Sequence, residues 1–168
     1  FVEPDMGGLA LAHNGNLTNA HMVRKDLVKH GAIFQSTSDT EIIVHLVALS
    51  DMNDMPGRLI DALKQVVGAY SLVALTENAM IGVRDPLGVR PLVLGQLDGA
   101  YVLTSETCAL DIIGAKFVRD IEPGEMVIID RDGIRSLQPF PVAKNRFCVF
   151  EYIYFARPDS RVDGKNAY

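Results

Sequence analysis

The sequence predicts an α+β fold in which helices are gathered ahead of an antiparallel sheet. Apolar residues at helical spacing dominate residues 20–67, and short β-type segments follow one another directly from residue 69 onward. Strands without helices between them pair antiparallel, so the helices form a separate layer. The 168 residues suffice for one sizeable core, since a chain of this size buries roughly 70% of its extended surface.

The first predicted elements are a strand and a helix. Residues 8–13 form a short apolar run that ends at Asn14-Gly15, which predicts a strand running into a tight turn. Thr18 or Asn19 can cap the helix that follows, and Gly31 is suited to end it.

Two further helices are predicted before the sheet. Ser38-Asp39-Thr40-Glu41 matches the capping box, in which the Ser and Glu side chains each satisfy a backbone N–H. The core face of that helix carries Ile42, Leu46 and Leu49. Pro56 is typical of a helix start, and the apolar spacing from Leu59 to Val67 predicts a third helix that ends at Gly68.

The second half of the chain is typical of β-structure, with short segments separated by turn residues. The predicted strands cover residues 70–75, 80–83, 91–97, 100–103, 117–121 and 126–129. One short helix is predicted among them, over residues 106–113.

A domain boundary is predicted at Gln138-Pro139-Phe140-Pro141, because two prolines fix the backbone and withhold hydrogen-bond donors. Residues 1–140 would form one unit and residues 141–168 would begin another. Residues 147–155 carry apolar or aromatic side chains on both alternating faces, which predicts a junction strand buried on both sides.

Composition excludes several classes of function. Sixteen basic and 21 acidic residues give a net charge of -5 without a basic cluster, which argues against a nucleic-acid partner. The apolar runs are too short for a membrane-spanning helix. Two cysteines, Cys108 and Cys148, are typical of reduced thiols, so we expect a cytoplasmic protein.

Asn14-Gly15 is the first candidate site, and two interpretations stand beside each other. The pair is a strong turn signal, since both residues tolerate positive φ. Alternatively, the Asn side-chain amide and the Gly backbone N–H form an oxyanion hole, two fixed donors for the oxygen that becomes anionic when an amide carbonyl is attacked.

Three other features could bear on function. Spacing alone favours Asp39 as a helix-start carboxylate, and a carboxylate fixed there is also suited to holding the ammonium group of an amino-acid ligand. The turn over residues 84–91 is interpreted as a rigid connection, and Cys108 as a small core residue. The histidines show no metal-ligand spacing with the cysteines.

Five blocks taken together resemble a known enzyme family. They cover residues 11–19, 36–41, 84–92, 105–109 and 150–160. The first four resemble the class II glutamine amidotransferase domain, and the fifth resembles the junction into the phosphoribosyltransferase half of the amidophosphoribosyltransferases. The resemblance implies an N-terminal-nucleophile αββα sandwich. Residues 1–140 would be the latter part of the amidotransferase domain, and residues 141–168 the start of the other half.

The resemblance also implies a reaction and roles. Asn14 and Gly15 match the oxyanion-hole pair, and Asp39 matches the carboxylate that holds the α-amino group of glutamine. An N-terminal cysteine would attack glutamine, with its own α-amino group as base, to give a thioester, then glutamate and ammonia. The ammonia would attack phosphoribosyl pyrophosphate in the other, Mg²⁺-dependent half to give 5-phosphoribosylamine for purine synthesis. A homo-oligomer is expected.

The sequence departs from the family pattern at the nucleophile. The chain opens with Phe1-Val2-Glu3-Pro4, so we expect a piece of a longer protein that is inactive as a glutaminase by itself. Some family members bind a [4Fe–4S] cluster, which needs about four thiolates. Cys148 lies in a block that resembles the region of one ligand, and a buried structural thiol is the alternative.

Two other functions compete with this interpretation. Another class II amidotransferase shares the first four blocks, but residues 150–160 resemble only the purine enzyme. A non-catalytic glutamine-binding or assembly module could retain Asn14, Gly15 and Asp39 without the nucleophile.

Overall fold

A computed structural model describes residues 7–141, 143, 146–162 and 164–166. Its helices are α1 (Ala20–Lys29), α2 (Thr40–Leu49), α3 (Met55–Leu63) and α4 (Thr107–Ile113). Its longer strands are β1 (Leu9–Leu17), β2 (Gly68–Thr76), β3 (Met80–Arg84), β4 (Val93–Leu97), β5 (Ala100–Thr104), β6 (Lys116–Asp120), β7 (Met126–Asp130) and β8 (Gly133–Leu137). A π-helical turn (Glu151–Phe155) and the short strands β9 (Arg161–Val162) and β10 (Lys165–Asn166) follow.

The strands form two main antiparallel sheets. The five-stranded sheet has the order β1-β2-β3-β7-β8, and the three-stranded sheet has the order β5-β4-β6. Strand β1 is therefore an edge strand of the described sheet. It pairs with β2 along its full length, from Leu9 opposite Thr76 to Leu17 opposite Gly68.

Side-chain alternation on these strands builds four layers. Leu72 and Ala74 of β2 pack in the large core with α1, α2 and α3. Val73, between them, packs with Leu94 of β4 in a second core between the sheets. Val93 faces the opposite way from Leu94 and contacts the α4 side in a third core. The order helix, sheet, sheet, helix is the predicted αββα sandwich, and the α+β fold class is confirmed.

The predicted helices are all present, with differences at their ends. Helix α3 ends at Leu63, so Val67 lies outside it and is 61% exposed. The predicted capping box does not form as expected. Glu41 accepts hydrogen bonds from the backbone N–H groups of Gln35 and Ser36 at 2.7 and 2.8 Å, and so secures the loop before α2. These bonds lower the pKa of the Glu41 carboxyl.

The predicted turn at Asn14-Gly15 is wrong. Both residues lie inside β1, opposite Ser71 and Tyr70 of β2. The Asn-Gly signal assumes that the chain reverses locally, but here the partner strand comes after three helices.

The predicted junction strand over residues 147–155 is also wrong. The backbone N–H groups of Arg146 and Cys148 donate to the carbonyl oxygens of Leu87 and Val89, and the chain then winds into the π-helical turn. These contacts dock the segment on the 85–91 loop instead of on a sheet. The boundary at residue 140 stays a prediction.

Strand β8 was not predicted, because most of its residues are exposed and carry no apolar alternation. Among the described residues, no helix combines the length and the apolar character needed to cross a membrane.

Candidate active site

The backbone N–H of Gly15 faces the open edge of the sheet. Gly15 lies opposite Tyr70, but Tyr70 forms its hydrogen bonds on its other side. Its N–H donates to Asp85 Oδ2 at 3.3 Å and its carbonyl accepts from the Asp85 N–H at 2.8 Å. In an antiparallel pair, the N–H and C=O of one residue point the same way. The Gly15 N–H is therefore directed away from β2 and is left for another acceptor.

Gly15 has no room for a side chain. Its φ is +155°, and a Cβ at this position would lie 2.0 Å from the carbonyl oxygen of Ala69. Glycine is required because the two backbones approach closely here.

The side chain of Asn14 is oriented by Arg90. The Nε and Nη2 atoms of Arg90 donate to Asn14 Oδ1 at 3.1 and 2.7 Å. A guanidinium group has donors only, so the atom that faces it must be the amide oxygen. The NH₂ group of Asn14 therefore points away from Arg90.

Asp39 lies immediately before α2 and contacts β1. Its Oδ2 accepts a hydrogen bond from the backbone N–H of Leu17 at 2.9 Å. Leu17 and Gly15 are two residues apart, so their N–H groups point to the same edge of the strand. Asp39 also forms part of the wall of an open groove of about 300 Å³, which is further lined by Ala20, His21, Arg24, Thr37 and Ile42.

His13 joins this group of residues from the helix-facing side of β1. Its Nδ1 lies 3.2 Å from Thr40 Oγ1 and 3.4 Å from Asp39 Oδ1. The ring is almost fully buried, with a side-chain exposure of 2%. Within the described part of the chain, its Nε2 has no hydrogen-bond partner.

The loop that carries Arg90 is held by a buried pair of charged residues. The Arg84 side chain donates to the carbonyl oxygens of Arg90, Ile121 and Gly88 at 2.9, 2.8 and 3.1 Å. The Asp85 carboxylate accepts from the N–H groups of Leu87 and Val89. Burial raises the pKa of Asp85, and these backbone bonds offset only part of the effect.

The structure brings together the three residues that the sequence singled out. Asn14 and Gly15 are adjacent on β1, and Asp39 is bonded to the same strand. An amide NH₂ and a backbone N–H on neighbouring residues can both donate to a developing oxyanion, and a fixed carboxylate can hold an ammonium group.

Neither cysteine belongs to this group of contacts. Cys108 lies in α4, with its Sγ 3.5 Å from Glu106 Oε2, and burial raises the pKa of its thiol. Cys148 is half-buried and bonded through its backbone to Val89. The described residues contain no cluster of three or more His, Cys, Asp or Glu side chains suited to a metal. Cys148 thus offers one thiolate of about four that an iron–sulfur cluster needs.

Sequence reasoning assigned no role in the site to Arg90 or His13. The Arg84 to Leu92 block stands out in the sequence, but its spacing gives no indication that Arg90 reaches β1. His13 adjoins Asn14 in the sequence, which was the one available signal.

Comparison with known proteins identifies the family of this domain. Residues 1–111 match the family model of the glutamine amidotransferase domain. The chain therefore belongs to the glutamine amidotransferase domain family.

Individual relatives are more specific. The chain is 52% identical over 173 aligned residues to an amidophosphoribosyltransferase of Rhizobium etli, and 46% identical over 169 to that of Bacillus subtilis. Both alignments cover 100% of this chain and 35% of the relative. The chain thus spans about a third of the length of these curated relatives.

Comparison with solved structures agrees with these sequence matches. The B. subtilis glutamine phosphoribosylpyrophosphate amidotransferase, complexed with ADP and GMP, matches with a TM-score of 0.94 and 45% identity over 99% of this chain and 37% of its own. A class-II domain protein from Silicibacter pomeroyi matches with a TM-score of 0.58 at 15% identity over 79% of this chain and 67% of its own. At that identity only the fold is shared.

Proposed function

We propose that this chain is the glutaminase portion of an amidophosphoribosyltransferase. In the intact protein, glutamine would be hydrolysed and its ammonia transferred to phosphoribosyl pyrophosphate, which gives 5-phosphoribosylamine for purine synthesis. The observation that carries the proposal is the pair of donors on β1. The Asn14 amide has its oxygen fixed by Arg90, and the Gly15 N–H points away from the paired strand.

The chemistry follows from where charge develops. A cysteine thiolate attacks the side-chain carbonyl carbon of glutamine, and the carbonyl oxygen becomes an anion. Asn14 and Gly15 donate to that oxygen until the C–N bond breaks. The amide nitrogen takes up the proton that the thiol gave to the base, and it leaves as ammonia. Water then hydrolyses the thioester to glutamate and restores the thiol. Asp39 holds the α-ammonium group of glutamine throughout.

The nucleophile is assigned to an N-terminal cysteine of the intact protein, because the mechanism uses its own α-amino group as the base. Cys108 lies in a helix and Cys148 precedes the π-helical turn, so neither cysteine has a free α-amino group. We therefore expect the 168-residue chain alone to be inactive. The Mg²⁺-dependent half, a homo-oligomeric assembly and a cytoplasmic setting are parts of the same proposal.

The competing glutaminase classes are less well supported. The relatives match along the whole chain, including residues 112–168, which lie beyond the residues that the domain model matches. This favours the purine enzyme over another class II amidotransferase.

The test compares two nitrogen donors in the full-length protein, supplied with phosphoribosyl pyrophosphate and Mg²⁺. Asn14→Ala should lower glutamine-dependent turnover about 10²–10³-fold, the usual loss for one oxyanion donor. Ammonia-dependent turnover should persist, because ammonia bypasses the amide. Asn14→Asp is the sharper variant, since it keeps an acceptor for Arg90 but has no NH₂ to donate.

Two results would contradict the proposal. Equal loss of both activities in Asn14→Ala would remove the oxyanion role. Glutamine binding by calorimetry without any hydrolysis in the unmutated full-length protein would instead identify a binding module.

A further inference from the structure

We infer that Arg90 is a positioning residue for this reaction: it fixes the Asn14 amide in the orientation that the oxyanion requires, and the π-helical turn holds Arg90 in place. This inference rests on the proposed function. It adds two residues, Arg90 and Glu151, that act through Asn14 and do not touch the substrate.

The contact with Asn14 restricts its amide. Rotation about the terminal side-chain bond of Asn is broad and roughly two-fold, so an unrestrained amide presents either its oxygen or its NH₂ to a given point. Two donors of one rigid guanidinium meet the same oxygen at 3.1 and 2.7 Å. A flipped amide would place NH₂ against these donors, so the flipped state is excluded.

The other side of the guanidinium is fixed by the π-helical turn. Arg90 Nη1 lies 2.7 Å from Glu151 Oε1, and the Glu151 side chain is only 3% exposed. The Arg90 Cζ atom stacks 4.3 Å from the centroid of the Phe155 ring. Burial raises the pKa of Glu151, and the charge of Arg90 offsets part of that effect. The turn and the guanidinium therefore stabilise each other.

The backbone of Arg90 is fixed as well. Its carbonyl oxygen accepts hydrogen bonds from Arg84 Nε at 2.9 Å and from Ser71 Oγ at 3.1 Å. With both ends held, the side chain has little freedom to leave Asn14. Glu151 lies outside residues 1–111, so the orientation of a donor on β1 depends on a segment beyond the matched domain.

Lysine cannot replace this arginine. Its ammonium is a point charge on a flexible stem, and it lacks the planar fork that meets Asn14 and Glu151 at once. Arg90→Lys should therefore retain part of the pairing with Glu151 but release the amide of Asn14.

The experiment is a double-mutant cycle on glutamine hydrolysis by the full-length protein. The variants are Arg90→Gln, Arg90→Lys, Asn14→Ala and Arg90→Gln combined with Asn14→Ala. Arg90→Gln should lower kcat by about 10²-fold, the loss that a small misplacement of a reacting group can cause, with little change in KM. In the Asn14→Ala background, the same change should have almost no further effect, because contacting residues are not additive.

Arg135→Gln is the matched control. Arg135 is 52% exposed and pairs with Asp130 on the β7–β8 hairpin, so its loss removes an arginine ion pair without touching β1. Thermal unfolding of every variant shows whether it is folded. If Arg90→Gln is unfolded, Arg90→Lys and Phe155→Leu take its place in the double-mutant cycle with Asn14→Ala.

The outcomes separate this inference from the proposed function. If the losses in kcat caused by Arg90→Gln and Asn14→Ala multiply in the double variant, the positioning role alone is overturned. Unchanged hydrolysis in both Arg90 variants would have the same consequence. Hydrolysis at an unchanged rate in Asn14→Ala overturns the oxyanion assignment itself. Glu151→Ala should reproduce the kcat loss of Arg90→Gln in part, and a loss that appears only in KM would contradict the inference.

Discussion

Asp39 and Leu17 are joined by a 2.9 Å hydrogen bond from the Leu17 backbone N–H to the Asp39 carboxylate. This bond ties the start of α2 to the outer edge of β1, two residues beyond Gly15. It uses Oδ2, while Oδ1 lies 3.4 Å from His13 Nδ1. The carboxylate is thus fixed by the protein before any ligand binds.

Asp39→Asn should weaken glutamine binding while leaving the fold intact. Asparagine still offers an oxygen to the Leu17 N–H, but it lacks the charge that attracts an α-ammonium group. Loss of a hydrogen bond to a charged group costs about 1.5–3 kcal/mol, so KM should rise about 10- to 100-fold. Steady-state kinetics of the full-length protein check this. Asp98→Asn, at the exposed β4–β5 turn, is the control, and an unchanged KM would remove Asp39 from the site.

Gly15→Ala should destabilise the protein more than Gly99→Ala. Both glycines have a positive φ, +155° and +87°, so both substitutions carry a backbone cost of about 1–3 kcal/mol. Only at Gly15 would the new Cβ meet a backbone atom, Ala69 O at 2.0 Å, whereas nothing lies within 4 Å at Gly99. Urea unfolding of the two variants measures the difference. Equal losses in the free energy of unfolding would show that β1 and β2 separate freely at Gly15.

Arg84→Met should loosen the 85–91 loop and reduce glutaminase activity indirectly. The change leaves the carbonyl oxygens of Gly88 and Ile121 without their arginine donor, at a cost of about 1–3 kcal/mol for each buried group left unpaired. It also removes the bond that holds the Arg90 carbonyl. The midpoint temperature of thermal unfolding and the kcat of glutamine hydrolysis should decrease together. Arg135→Met, at an exposed ion pair, should change stability by less than about 1 kcal/mol.

Glu125 should make stability depend on pH in acid. Burial raises the pKa of its carboxyl, but hydrogen bonds from Arg119, Ser136 and the Glu122 N–H outweigh burial, and the net pKa is lowered from 4.5. As the pH falls below 4.5, the unfolded chain takes up a proton that the folded protein does not, so the free energy of unfolding decreases.

Glu125→Gln tests this directly. The variant should be less stable than the unmutated protein by about 1.5–3 kcal/mol at pH 7, the value of a hydrogen bond to a charged group. The difference should shrink as the pH falls from 4.5 through the lowered pKa of Glu125. Urea unfolding at several pH values measures it, and a difference that stays constant would assign the loss to packing.

Much of the fold could be predicted from local pattern. The helices α2 and α3 and most strands of the two sheets fall where apolar spacing and turn residues indicate, because each buries one face against a neighbouring layer. The turn predicted at Asn14-Gly15 is wrong because strand pairing with β2 overrides the local preference of Asn-Gly for a turn. The strand predicted over residues 147–155 is wrong because apolar residues on both alternating faces do not distinguish a strand from a single wide turn. In the observed turn, Ile153 and Tyr154 are 71% and 81% exposed.

The sequence by itself determined the α+β class and the identities of Asn14, Gly15 and Asp39 as candidates, since these depend on periodicity and on the chemistry of individual side chains. The tertiary structure decided which way each group points. Asn14, Arg90 and Glu151 lie on three separate segments of the chain, and their contacts exist only after the layers have packed. Local spacing carries no information about contacts at such separations, because they are set by strand register and loop docking.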